Sequence, residues 1–222
     1  MGIGWLIGLA SSSILFFFAY LFFSSNNYKR RFKDKYDLRN HFPYEFNYES
    51  KFFDNPLGNV SLIMSMLFSI AFYSLTAVYN NKNGLVLFVL ISGIIYSILI
   101  IVLNFVPIKY LKTFLIISIF LFAASFICPA SIALASWDHY RESKNVIALV
   151  LLIVAAIVAL FNFVLTMNPK LSLNIKMNVA TDEKGNEYYV RPKYIMMAFS
   201  EWIMFFSLLI DDVLLIVLLT II

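Results

Sequence analysis

Six apolar runs of about twenty residues dominate the sequence, and that is the length an α-helix needs to cross about 30 Å of hydrocarbon. The runs cover about 3–23, 60–79, 85–106, 111–137, 146–167 and 194–222. Helix breakers stand at their edges: Asn55-Pro56 before the second, Pro107 after the third and Asn168-Pro169 after the fifth. Continuous runs specify helices, because the strands of a membrane barrel alternate in polarity over about ten residues. The sequence therefore predicts an all-α, polytopic transmembrane helix bundle forming a single domain. Composition points the same way, since 61% of residues are hydrophobic and 14% charged, too little polarity to cover a water-soluble fold.

Charge sets an expected orientation. Of the 17 Lys and Arg, all but Lys82, Arg141 and Lys144 fall in the loops after the first, third and fifth runs. Basic loops stay in the cytoplasm, so loops 25–55 and 168–193 are expected there and both termini outside a cell membrane crossed many times. The first run reads as a retained helix, because it lacks a positive leader and a small-residue cleavage site. No internal repeat is visible.

Both long loops carry structural signals. Loop 25–55 contains Tyr28, Phe32, Tyr36, Phe42, Tyr44, Phe46, Tyr48, Phe52 and Phe53 among its basic residues. This composition suits a segment lying in the membrane interface against lipid headgroups, or a docking surface for other membrane subunits or a cytoplasmic partner. Residues 174–179 and 187–191 flank the turn-forming stretch 182–186, a pattern expected to form a small β-hairpin with Gly185 in its turn.

Several chemistries are excluded. A single cysteine, Cys128, permits no internal disulfide and no multi-cysteine metal or redox centre, and His41 and His139 are far apart. There is no phosphate loop, metalloprotease helix, nucleophile elbow or dinucleotide fingerprint, so no enzyme, cofactor or nucleic-acid partner is expected. His139, between Asp138 and Glu142, reads as part of a wetted interfacial turn.

The strongest functional signal is Asp211-Asp212 inside the last apolar run. Acids at bilayer depth face a protein interior or water and are functional suspects by default. At 100° per residue Ser200, Ser207 and Asp211 share a stripe of that helix, and Glu201 and Asp212 share the next. In the second helix Ser61, Ser65, Ser69 and Thr76 lie on one side, so the two stripes are expected to form a hydroxyl and carboxylate track. Asn104, Asn162 and Tyr96 are further candidate ligands. Three readings stay open for the acids: a cation or proton path, a neutral pair that holds helices together, or a short sixth helix that leaves both at the interface. Small residues in the fourth and fifth helices, among them Ala130, Ala133, Ala155 and Ala159, point to close helix packing, Pro129 to a kink, and Cys128 to a small core filler. The leading functional expectation is a small transport or permeation protein for a cation or a proton-coupled solute. The alternative is a non-catalytic subunit that scaffolds or regulates a larger membrane complex.

Overall fold

The structure is a computed structural model that describes residues 3–47, 52–79, 84–107, 109–168, 171, 178–181, 187–190 and 192–222. Six helices, α1 (Ile3–Phe32), α2 (Pro56–Tyr79), α3 (Gly84–Phe105), α4 (Leu111–Ser143), α5 (Val146–Thr166) and α6 (Met196–Ile221), carry the fold. All six are long and apolar enough to cross a membrane. Short connections make α2 and α3, α3 and α4, and α4 and α5 antiparallel pairs. Helices α1 to α5 pack side by side in chain order, and α6 lies against α1, α3, α4 and α5. It fills the concave side of a five-helix palisade. The sequence demands this placement, because α6 carries Glu201, Asp211 and Asp212, and an acidic face cannot be left against lipid. The apolar α5 does the reverse, turning Ile153, Ile157, Leu160 and Val164 outward.

Helices outrun the apolar segments that announce them. Helix α1 continues through Lys29, Arg30 and Arg31 to Phe32, because long basic side chains keep good helix propensity once outside the lipid. Helix α4 likewise runs past Pro129 as one element to Ser143. Residues 137–142, expected as a wetted turn, belong to its last turns. The helix stops where Lys144 adopts a left-handed φ of 55° and returns its amide to the Tyr140 carbonyl. One residue on, the Asn145 side chain accepts the Ile147 amide at 2.9 Å and starts α5. Between α5 and α6, β1 (Asn178–Thr181) and β2 (Glu187–Val190) pair antiparallel, with Asn178 opposite Val190 and Thr181 opposite Glu187. The expected turn at 182–186 lies outside the described residues, as do Tyr48 and Lys51 of the first loop.

The first loop departs from its interfacial expectation. Phe42, Tyr44 and Phe46 are buried and fold into the end of the bundle, Pro43–Phe46 forming a single 3-10 turn against α1, α3 and α6. Their anchor is Trp202 of α6, fully buried, whose indole N–H donates to the His41 carbonyl at 2.8 Å while its ring meets Tyr20, Tyr36 and Phe46. The Ile195 amide donates to the Arg39 carbonyl at 2.8 Å, tying the loop to the start of α6. The Arg39 guanidinium, hydrogen-bonded to Asp37, holds that carboxyl below its usual range. Buried rings gain more from one another than from headgroups, so only Phe32 and Phe53 among the loop's phenylalanines stay exposed.

Beneath this plug an asparagine cluster joins four elements. Tyr20 donates to Asn104 Oδ1 at 2.8 Å, Asn104 Nδ2 to Asn59 Oδ1 at 3.1 Å, and Asn59 Nδ2 to Asn47 Oδ1 at 2.8 Å. Asn47 closes the ring by donating to the Asn104 carbonyl at 3.0 Å. Asn104→Ala strands Tyr20 and Asn59 at about 1–3 kcal/mol for each buried group, so its thermal midpoint in detergent is expected to fall well below that of Tyr20→Phe. Equal midpoints for the two variants contradict a cooperative cluster.

Candidate functional site: a buried acid pair

Helix α6 is continuous through Asp211 and Asp212, which removes the short-helix reading. Asp211 lies about 22 Å along a helix of about 39 Å, at 1.5 Å per residue. Both carboxyls have zero exposure, and the residues around them come from the middle turns of neighbouring helices. Ser69 of α2 donates to Asp212 Oδ1 at 3.2 Å, and Ser97 of α3 stands 3.2 Å from Ser69 and 2.9 Å from the Gly93 carbonyl. The hydroxyls of Tyr73 and Ser13 flank Asp212. Cys128 lies beside Asp211, its Sγ 3.9 Å from the Tyr73 hydroxyl. Gly93 makes this possible: a Cβ there would sit 2.4 Å from the Tyr73 ring.

Three of the four carboxylate oxygens, both on Asp211 and Oδ2 on Asp212, have no hydrogen-bond partner. An unmet buried polar group costs about 1–3 kcal/mol, and more when charged. A carboxylate in such a place is tolerated when a proton or a cation neutralises it. Successive side chains on a helix point about 100° apart, so the two acids address different neighbours, Asp212 facing α2 and Asp211 facing α4.

The remaining sequence candidates divide into those that reach α6 and those that do not. Glu201 is fully buried and accepts from Ser118 of α4 at 3.2 Å through Oε1, while Oε2 has no partner. Ser207 accepts from Asn162 of α5 at 2.7 Å, and Asn162 also donates to the Ser125 carbonyl at 2.7 Å. Tyr96 donates to the Met204 carbonyl. Ser200 is buried without a partner. Of the α2 candidates Ser61, Ser65, Ser69 and Thr76, Ser69 alone is hydrogen-bonded to an acid. Ser65 donates to the Ser13 carbonyl at 2.7 Å and thereby ties α1 to α2; Ser61 and Thr76 are buried, the latter without a partner. Asn104 belongs to the asparagine cluster. The hydroxyl stripe therefore meets the acids at one level instead of running beside them.

Sequence reasoning missed Ser13, Ser97, Ser118 and Tyr73. Tyr73 carried a signal, since it follows Ser69 by one turn on the same face. The serines carried none, because a lone hydroxyl in an apolar helix satisfies itself on the carbonyl one turn back.

Comparison with protein-family models, with curated proteins and with solved structures finds no match. The class of the protein follows from the fold itself: six apolar helices, the sixth with buried acids, make it a multi-pass integral membrane protein.

Proposed function

We propose that the protein resides in the cell membrane with its basic loops in the cytoplasm and moves a small cation, or a solute coupled to protons, by way of Asp211 and Asp212. No covalent chemistry on a substrate is assigned to it. The observation that carries this reading is the pair of mid-depth carboxyls with three unpartnered oxygens. A pair serving as a helix clamp would have its oxygens held at hydrogen-bond geometry, which Ser69 provides for Asp212 Oδ1 and the other three oxygens lack. Hydroxyls from Ser69, Ser13 and Tyr73 supply oxygen ligands or proton donors around it.

The test is reconstitution of the purified protein into liposomes holding a trapped pH dye, with a potassium diffusion potential set by valinomycin. Interior acidification or alkalinisation faster than in empty liposomes is expected. Rates equal to those of empty liposomes, for protons and for alkali cations alike, remove the transport reading.

A second reading, a subunit that scaffolds or regulates a membrane complex, is favoured by one feature. A lipid-facing groove of about 440 Å³ runs between α4 and α5, floored by Ala130, Ala133, Ala156 and Ala159 and edged by Phe126 and Trp137. Small residues of this kind let a further helix approach closely. Under that reading the protein purifies from gently solubilised native membranes with a stoichiometric companion, and Ala133→Leu releases it.

A further inference from the structure

We propose that the acid pair exchanges protons with the basic-loop end of the bundle, and that Glu201 is the access acid through which they pass. This rests on the transport reading above and narrows it to the proton and to one side.

Glu201 is ten residues before Asp211 on α6, about 15 Å nearer the basic-loop end. It sits directly beneath the aromatic plug. Phe114, one turn before its partner Ser118 on α4, meets the rings of Phe42 and Tyr44 edge-on, each at 5.8 Å. Trp202, the next residue on α6, holds the His41 carbonyl. Glu45, half-buried within the 3-10 turn of the plug, lies within electrostatic reach of Glu201. Glu45 is thus half-buried on the plug and Glu201 enclosed within the bundle.

Between Glu201 and the pair, Ser207 of α6 and Asn162 of α5 supply the polar atoms. Asn162 Oδ1 is buried and unpartnered while its amide nitrogen is bonded to Ser207, one turn before Asp211; Ser200, the residue before Glu201, keeps a buried unpartnered Oγ on the basic-loop side. Beyond the pair α6 continues as Val213, Leu214, Leu215, Ile216 and Val217, and the buried serines on that side, Ser92 of α3 and Ser131 and Ser136 of α4, donate to carbonyls of their own helices. The third buried carboxyl of α6 thus lies on the basic-loop side of the pair, and α6 carries none on the other side. A proton suits this arrangement, since it needs one lone pair at each stop. A calcium-like cation takes six or more oxygens, and among the described residues no three His, Cys, Asp or Glu side chains gather as a metal site. The step is a simple transfer: a proton added to the Glu201 carboxylate leaves it when a carboxylate of the pair takes it up, with no change in oxidation state.

Proton flux into liposomes, read with trapped dye, tests this on wild type, Asp211→Asn, Glu201→Gln and Glu201→Met. Loss of the access acid is expected to slow wild-type flux by about a hundredfold, the scale of a positioned acid–base group. Glu201→Met keeps the volume and has no polar atom to satisfy, so it supplies the answer if Glu201→Gln does not fold. If wild type conducts, Asp211→Asn does not, and a folded Glu201 variant conducts as wild type does, this inference is overturned and the transport reading stands. If wild type itself moves no proton, this inference is overturned, and the transport reading falls with it when alkali cations do not move either.

Discussion

Asparagine at position 211 is expected to abolish proton flux in liposomes while leaving a monodisperse protein that melts no lower than wild type. The carboxyl it replaces has two oxygens without partners, so the fold loses no hydrogen bond there, and the neutral amide has a smaller desolvation cost than a charge. Transport depends on a group that binds and releases a proton, which an amide does not do. The loss expected is about a hundredfold or more. Asp212→Asn differs in one respect, because Asp212 Oδ1 accepts the Ser69 hydroxyl at 3.2 Å. Its amide oxygen preserves that bond in one rotamer, so flux is expected to fall similarly with a small stability change. A folded Asp211→Asn, Asp212→Asn double variant that conducts at the wild-type rate rules out the pair as the transport site.

The largest loss of stability is expected from Trp202→Ala. Truncating a fully buried tryptophan costs about 3–5 kcal/mol, and here it also removes the indole bond that fixes the His41 carbonyl. The plug should loosen before the bundle does, because its rings rest on Trp202 while α1 to α5 hold one another independently. Trypsin should therefore cut faster at Lys33, Lys35 and Arg39 in the variant, with the helices still intact by circular dichroism. Trp202→Phe keeps most of the ring contact and loses the donor, so an intermediate cleavage rate is expected. Unchanged cleavage in Trp202→Ala means the loop is held by something other than this anchor.

The spans could be read from sequence because transfer into hydrocarbon is an additive property of a run, independent of its neighbours. The same scale reports where lipid ends and not where a helix does, so the polar extensions of α1 and α4 were invisible to it. The acids were legible for an equally local reason, since each is costly wherever its helix is placed. What they touch was not legible. Ser69 and Asp212 meet because of how α2 and α6 are rotated about their axes, and no single helix encodes its rotation relative to another. The aromatic loop shows the same limit: a segment rich in rings and bases suits a membrane surface and a bundle mouth alike, and Trp202, far along the chain, decides between them.

The order of the chain gives the central position of α6 a meaning for assembly. The other five helices leave the ribosome first, so every helix that α6 packs against precedes it into the bilayer. The acids then need not dwell in lipid, since they pass from the insertion machinery into a cleft already lined with serine and tyrosine hydroxyls. Delay at that moment exposes the unfilled cleft and the unsheltered acids together, making the gap between α5 and α6 the point in biogenesis where quality control has most to recognise.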